Sequence, residues 1–168
     1  MQPVSYKPIG VIHTPFRDLA GMPIQPRAAE GITGTVEVYP EYAAGLKDLD
    51  GFSRIILIYH FHQCTGWSAT PVPFLDNHPR GVFSTRAPRR PNPIGISIVG
   101  LIDREENILT IEGVDMLDET PLLDIKPYIP EFDAFCGGKT GWFPEHPDLR
   151  NARSDGRFAE PGDHEHKK

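Results

Sequence analysis

The run RIILIYHFH, residues 54–62, decides the fold class, because its apolar side chains occupy both faces of a strand. We expect such a strand to run through the middle of the structure. Six further strand-like runs surround it, at residues 6–13, 33–39, 81–85, 94–103, 108–116 and 122–126. About seven short strands separated by turns predict a mainly β protein, either a barrel or a sandwich.

Composition supports a single domain with few short helices. The chain has 168 residues, enough for one hydrophobic core, and its 16 glycines and 18 prolines favour turns over long helices. One helix is expected at residues 41–50, and Gly45 keeps it short. Residues 1–143 are predicted to form the domain. Residues 144–168 are predicted to form a polar tail, either free or wrapped over a partner subunit, because Leu149 and Phe158 are their only large apolar residues.

The sequence indicates a cytoplasmic protein. It has no apolar run near the about 20 residues that span a bilayer, and no basic segment followed by an apolar one at its start. Cys64 and Cys136 lie far apart in the sequence and are predicted to be reduced thiols. The net charge of −6 argues against a long electrostatic groove for nucleic acid, so binding is expected to depend on a local cationic patch.

That patch is the loop segment FSTRAPRRPNPIGIS, residues 83–97. Its three prolines restrict the backbone, which lowers the entropy cost of ordering the loop on binding. Arg86, Arg89 and Arg90 are therefore predicted to be presented to a carboxylate or a phosphate. The alternative is an ordinary basic surface loop.

Two other patterns suggest sites that the sequence does not complete. GKT at residues 138–140 is similar to the end of a phosphate-binding loop, but Asp133 stands where the first glycine should be. His60, His62 and Cys64 alternate and could face zinc together, but a fourth ligand is not evident, and lining a pocket is the alternative. No G-x-G-x-x-G pattern is present. We predict no metal site.

Several motifs resemble a known family. FSTR at residues 83–86, followed by RPNPIG at residues 90–95, resembles the signature of the small β-barrel S-adenosylmethionine-dependent methyltransferases that modify N6 of threonylcarbamoyladenosine in tRNA. Other segments agree in order: KPIGVI at 7–12 with PF at 15–16, HQ at 62–63, DETP at 118–121 and DIKPY at 124–128. The resemblance covers residues 5–133 and implies a single small β-barrel.

The resemblance also implies site residues. For S-adenosylmethionine these are Pro23, Ile24, Gln25, His62, Gln63, Arg86, Ile96, Asp118, Glu119, Thr120 and Pro121. For the substrate base, the expected residues are Arg90, Asn92, Asp124, Lys126 and Tyr128. Ile24 stands where the family has an arginine, and the nearby Arg27 could partly replace that charge.

The residues of the DIKPY segment that are expected to bind the substrate base have two interpretations. Asp124, Lys126 and Tyr128 would share one face of an extended segment, where they could orient the base. Alternatively, Lys126 pairs with Asp124, and Tyr128 packs in the barrel. Arg86 is expected to pair with a carboxylate of either the cofactor or the substrate.

The implied function is methylation of N6 of threonylcarbamoyladenosine in the anticodon loop of a tRNA by a homodimer. The alternative is a non-catalytic module that binds S-adenosylmethionine or a related nucleoside as a regulatory signal. Most of the rate acceleration is expected from alignment of the reacting atoms. The sequence identifies no catalytic base.

Overall fold

Six strands form the framework of the protein: β1 (Gly10–His13), β2 (Thr33–Val38), β3 (Arg54–His60), β4 (Ile94–Glu105), β5 (Ile108–Glu112) and β6 (Thr120–Pro127). They close into an antiparallel barrel in the order β1-β2-β5-β4-β3-β6. The computed structural model describes residues 2–135, 137–143 and 153–158. The predicted mainly β barrel is thus confirmed, with six strands among these residues.

Alternate residues of each strand point into the barrel and fill it, as the period of two requires. The largest side chains that are completely buried are Ile12, Ile55, Leu57, Leu109, Ile111 and Leu122. On β3, which lies between β4 and β6, Ile55 and Leu57 face this core, whereas Ile56 and Ile58 face outward and are only partly covered. The apolar outer face of the central run therefore remains accessible.

The strand predicted at residues 81–85 is instead a 3₁₀ turn, Val82–Ser84. The Ser84 N–H donates to the Gly81 carbonyl at 2.8 Å, and the Thr85 N–H donates to the Val82 carbonyl at 3.2 Å. The Thr85 hydroxyl also donates to the Val82 carbonyl, at 3.0 Å. These local hydrogen bonds compete with strand pairing, which explains the wrong prediction.

Gly113 ends β5 earlier than the predicted strand at residues 108–116. Its φ of +86° lies in the left-handed region, which glycine adopts at little cost. The Gly113 N–H donates to the Ile32 carbonyl at 2.9 Å, outside the strand ladder. The chain then crosses one end of the barrel before it enters β6, and this crossing segment carries Asp115 to Ser97 of β4.

The helix predicted at residues 41–50 forms two 3₁₀ turns, Pro40–Leu46 and Leu49–Gly51. Asp48, with a φ of +65°, interrupts the helical path between them. A four-residue helix, α1 (Pro130–Asp133), follows β6. No helix within the described parts of the chain is long and apolar enough to cross a membrane.

Residues 153–158, which belong to the predicted tail, pack against loops of the same chain. Ser154 exchanges backbone hydrogen bonds with Gly21 and Met22, both at 2.8 Å. Phe158 is 7% exposed and contacts Phe74 edge to face, with ring centroids 5.0 Å apart. The division of the chain at residues 143/144 stays a prediction, since residues 144–152 and 159–168 lie outside the described residues.

Candidate functional site

An open concavity of about 1740 Å³ lies at one end of the barrel and extends onto the outer face of β4. Its walls come from the loop after β1, the segment after β3, the loop before β4 and the segment between β5 and β6. The predicted site residues that line it are Pro23, Ile24, Gln25, His62, Gln63, Arg86, Ile96, Thr120, Arg90 and Tyr128. The fold therefore brings most of the predicted cofactor residues to one surface.

Arg86 and Gln25 meet at the concavity although 61 residues separate them in the chain. The Arg86 Nη1 donates to the Gln25 Oε1 at 2.7 Å, and the Gln25 Nε2 donates to the Ile24 carbonyl at 2.7 Å. Gln25 is a neutral partner, so it orients the guanidinium without neutralising its charge. Arg86 is exposed, and it is a suitable cation for a carboxylate ligand.

The other two arginines of the loop are turned inward, contrary to their predicted presentation. The Arg90 Nη1 donates to the carbonyls of Val82, Thr85 and Ala87 at 3.1, 2.8 and 3.4 Å. Arg89 is 7% exposed, and its Nε donates to a backbone carbonyl of the 153–158 segment at 3.2 Å. The proline-rich loop lacks regular pairing, so the Arg90 guanidinium satisfies three of its carbonyls, whereas Arg89 ties the loop to the 153–158 segment. The substrate role of Arg90 stays a prediction.

The loop at residues 118–121 lies beside the concavity, and only Thr120 of its four residues lines it. The Asp118 carboxylate accepts the Thr14 N–H at 3.1 Å and pairs with Arg17 at 2.9 Å. Desolvation opposes ionisation, but the Thr14 hydrogen bond and the Arg17 charge outweigh it and lower the pKa of Asp118. Glu119 has a φ of +60°, and Pro121 follows in β6. The cofactor roles of these residues remain predictions.

Of the three residues of the DIKPY segment that were predicted to bind the substrate base, two lie outside the concavity. Asp124 and Lys126 pair with Ile58 and Ile56 of β3, and their side chains form an ion pair at 2.6 Å on the outside of the barrel. This contact agrees with the part of the alternative interpretation in which Lys126 pairs with Asp124. Tyr128 lies beyond β6 and lines the concavity.

Asn92 is exposed, and its carbonyl accepts the Ile94 N–H at 2.8 Å. It is not among the residues that line the concavity. The roles predicted for Asn92, Asp124, Lys126 and Tyr128 in binding the substrate base stay predictions.

His62 and its neighbours do not form the extended face that a zinc site would use. β3 ends at His60, and a turn follows in which the Cys64 N–H donates to the Phe61 carbonyl at 3.1 Å. Burial, and secondarily the nearby His60, lowers the pKa of His62, so this side chain is neutral at pH 7. Burial raises the pKa of the Cys64 thiol. Among the described residues, no group of three or more His, Cys, Asp or Glu could hold a metal ion.

Cys64 is a free thiol, and Cys136 lies outside the described residues.

A chain of three polar side chains at the concavity was missed by the sequence reasoning. The Ser97 hydroxyl donates to the Asp115 Oδ1 at 2.6 Å, and the Tyr59 hydroxyl lies 3.0 Å from the Ser97 Oγ. Asp115 stands in the apolar run VDML at residues 114–117, and an acid in such a run was the available signal.

The surroundings of these three side chains raise the pKa of two of them, Asp115 and Tyr59. Burial raises the pKa of Asp115 to about 7, against opposing contributions from the Ser97 hydrogen bond and the Arg86 charge. Burial also raises the pKa of Tyr59, and the Asp115 charge adds to that shift. An acid that titrates near neutral pH in a concave surface is a recognised mark of a functional site.

Comparison with known proteins shows that most of this chain matches a protein family. A family model described as the tRNA-methyltransferase O N-terminal domain matches residues 11–134. A probable S-adenosyl-L-methionine-binding protein of Pyrococcus abyssi is 54% identical over 156 residues, which cover 92% of this chain and 85% of that protein.

Two further relatives are larger than this chain. The tRNA (adenine(37)-N6)-methyltransferase of Escherichia coli is 35% identical over 140 residues, which cover 77% of this chain and 60% of that protein. A crystal structure of TrmO from Pseudomonas aeruginosa superposes with a TM-score of 0.72 at 36% identity, covering 85% of this chain and 64% of that one. This chain therefore spans less than two thirds of these two relatives.

Proposed function

Because the chain belongs to the tRNA-methyltransferase O N-terminal domain family, we propose that it transfers the methyl group of S-adenosylmethionine to N6 of threonylcarbamoyladenosine in a tRNA anticodon loop. The family match supports tRNA methylation, and relatives named for S-adenosylmethionine support the cofactor. The proposal goes beyond the names of these relatives in two respects, the threonylcarbamoyl group on the adenosine and the anticodon loop. We place the reaction in the cytoplasm.

The observation that carries the proposal is the meeting of Arg86 and Gln25 at the concavity. S-adenosylmethionine combines a carboxylate with a sulfonium, so its site needs a cation at one end and none beside the sulfur. Arg86 supplies the cation, and His62 is neutral at pH 7 because its pKa is lowered. The residues present therefore fit the cofactor, which supplies an electrophilic methyl group when it is bound.

The rim of the concavity offers groups that suit an unpaired RNA base. Phe83 is 81% exposed, and the Trp142 Nε1 donates to the Ser84 carbonyl at 2.8 Å. The Arg80 guanidinium lies 5.7 Å from the centre of the Trp142 ring, and its Nε donates to the Asp76 carboxylate at 2.6 Å. Single-stranded RNA loops are commonly recognised by stacking of their bases on aromatic side chains. Phe83 and Trp142 both line the concavity, which supports an anticodon loop as the partner.

We further propose a homodimer. Ile94, Ile96 and Ile98 project from the outer face of β4 with 41, 51 and 37% of their surfaces exposed. All three also line the concavity. A second copy seated on this face would bury apolar surface and cover the site at the same time.

The proposed function is tested by incubating the protein with labelled S-adenosylmethionine and tRNA that carries or lacks the threonylcarbamoyl group. Nucleoside mass spectrometry should show a methyl group only on the modified tRNA, because a cation that recognises the threonyl carboxylate would be left unpaired by plain adenosine. Equal methylation of both tRNAs would contradict the proposed acceptor. Cofactor binding without methylation of either tRNA would favour the regulatory module.

A further inference from the structure

Asp115, Ser97 and Tyr59 form a hydrogen-bonded chain at the barrel end of the concavity, and all three residues line it. The Ser97 hydroxyl has a single proton, which it donates to the Asp115 carboxylate. The Tyr59 hydroxyl must therefore donate to Ser97. Two neighbouring barrel strands thus orient the carboxylate, since Tyr59 belongs to β3 and Ser97 to β4.

We propose that Asp115 accepts the proton that the adenosine N6 loses on methylation, and that Ser97 and Tyr59 position its carboxylate for this step. The proposal rests on the proposed function. N6 forms a bond to the methyl carbon as the carbon–sulfur bond breaks, and the electron pair of that bond leaves with sulfur. The N6–H bond breaks, its electron pair stays on nitrogen, and the proton bonds to an Asp115 oxygen. Solvent takes the proton after the product leaves.

The carboxylate has room for this proton. Its two oxygens offer about four lone-pair positions, of which Ser97 and the backbone N–H of Asp115 occupy two. Asp115 is half-buried, so a ligand in the concavity can reach it. A base is most effective when its pKa lies near the working pH, and that of Asp115 is about 7.

Charged and titratable groups around Asp115 influence the pKa of its carboxyl group. Arg86, from the loop before β4, lowers the pKa of Asp115, and Tyr59, from β3, faces it through Ser97. His62 also lines the concavity and is the competing base. Asp115 is favoured because two strands fix its position, whereas His62 lies in the turn after β3.

The test uses Asp115→Asn, which keeps the size of the side chain and an acceptor for Ser97. S-adenosylmethionine affinity, measured by calorimetry, should stay within about threefold of wild type. Single-turnover methylation of modified tRNA should fall by about 100-fold or more. The wild-type rate should rise with pH to a plateau with a midpoint near pH 7, and the variant should lose this rise.

Ser97→Ala is the second variant, and it tests positioning. The Ser97 hydrogen bond lowers the pKa of Asp115, so its removal should move the midpoint of the rate profile to higher pH. Infrared titration of the ligand-free protein should show a carboxyl band that titrates near pH 7 in wild type, at higher pH in Ser97→Ala and not in Asp115→Asn. A merely structural role would not move this band and the rate midpoint together.

The outcomes separate this inference from the proposed function. If wild type does not methylate modified tRNA, the proposed function fails and this inference fails with it. If wild type is active and Asp115→Asn keeps its rate and pH profile, only the inference is overturned. Loss of cofactor binding in Asp115→Asn, or a rise with pH that disappears only in His62→Asn, also overturns it.

Discussion

Arg86 and Arg90 show that one short loop uses the same side chain for two purposes. Arg90 donates inward to three carbonyls of its own loop, and these bonds hold the backbone around Val82 and Thr85. Arg86 points outward and contacts the neutral amide of Gln25. The difference comes from which carbonyls the loop leaves unpaired, since a buried carbonyl without a donor is costly.

Arg86→Ala should weaken S-adenosylmethionine binding by about 1.5–3 kcal/mol, the usual range for a hydrogen bond to a charged group. Arg86→Lys should also bind more weakly, because an ammonium cannot reproduce the planar guanidinium. Calorimetry measures both affinities. Arg104→Ala is the matched control, since Arg104 donates to the Leu46 carbonyl at 3.2 Å and does not line the concavity. Wild-type affinity in both Arg86 variants would show that Arg86 does not bind the cofactor.

Gly95 matters because the Tyr59 ring packs directly over it. A Cβ at Gly95 would lie 2.2 Å from the Tyr59 Cε2, so Gly95→Ala must displace the ring. We expect a loss of about 1–3 kcal/mol in the free energy of unfolding, measured by urea denaturation. Gly100→Ala on the same strand is the control, because its nearest neighbour would be 3.6 Å away. Equal stability of the two variants would contradict this reading.

At the scale of elements, the segment at residues 153–158 supports the loop that begins the candidate cofactor site. Its Ser154 pairs with Gly21 and Met22, and Pro23 forms a single β-bridge with Arg153. The Ser154 hydroxyl adds hydrogen bonds to the carbonyls of Leu19 and Met22. Residues 23–25 are thus held in place by a segment about 130 positions away in the sequence.

Phe158→Ala should release this segment. The side chain is buried against Phe74, and truncation of a buried phenylalanine removes about 3–5 kcal/mol of packing. Hydrogen exchange at the amides of Gly21 and Ser154 should accelerate, while exchange within β3 and β4 should be unchanged. Phe132→Ala, at a residue that is 71% exposed, serves as the control. Unchanged exchange at Gly21 would show that the segment does not depend on Phe158.

At the scale of the whole molecule, the closed barrel carries an apolar patch on its outer surface. Closure leaves no free strand edge, and exposed isoleucines stand on the outward face of β4 at Ile94, Ile96 and Ile98. Ile56 and Ile58 of β3 pair with Ile98 and Ile96 of β4, which makes the isoleucines of the two strands continuous. A patch of this kind on a protein surface commonly marks an interface.

Ile98→Lys should convert the proposed dimer into a monomer, because a charge in an apolar interface loses its hydration without gaining a partner. Sedimentation at tens of micromolar measures the change. Ile108→Lys is the control, because Ile108 is 42% exposed and lies on β5, outside this face. A wild-type monomer that still methylates tRNA would rule out the dimer as a requirement.

The fold class and the family could be predicted from the sequence, whereas several local structures could not. The mainly β barrel and the family are confirmed. The predicted strand at 81–85 and the helix at 41–50 were wrong, since both depend on hydrogen bonds to nearby groups that a propensity pattern does not contain. The inward orientation of Arg89 likewise depends on tertiary structure, because the carbonyl that accepts its hydrogen bond belongs to Phe158.

What the sequence determined by itself is the set of apolar alternations and the motifs around Arg86, because strand periodicity and loop composition are local properties. What only the tertiary structure decided is which distant residues meet. Closure of the barrel and the turn at Gly113 bring Asp115 within 2.6 Å of Ser97, and no spacing in the chain encodes that contact. Burial then raises the pKa of this carboxyl, because a charge loses its hydration only where the folded chain excludes water.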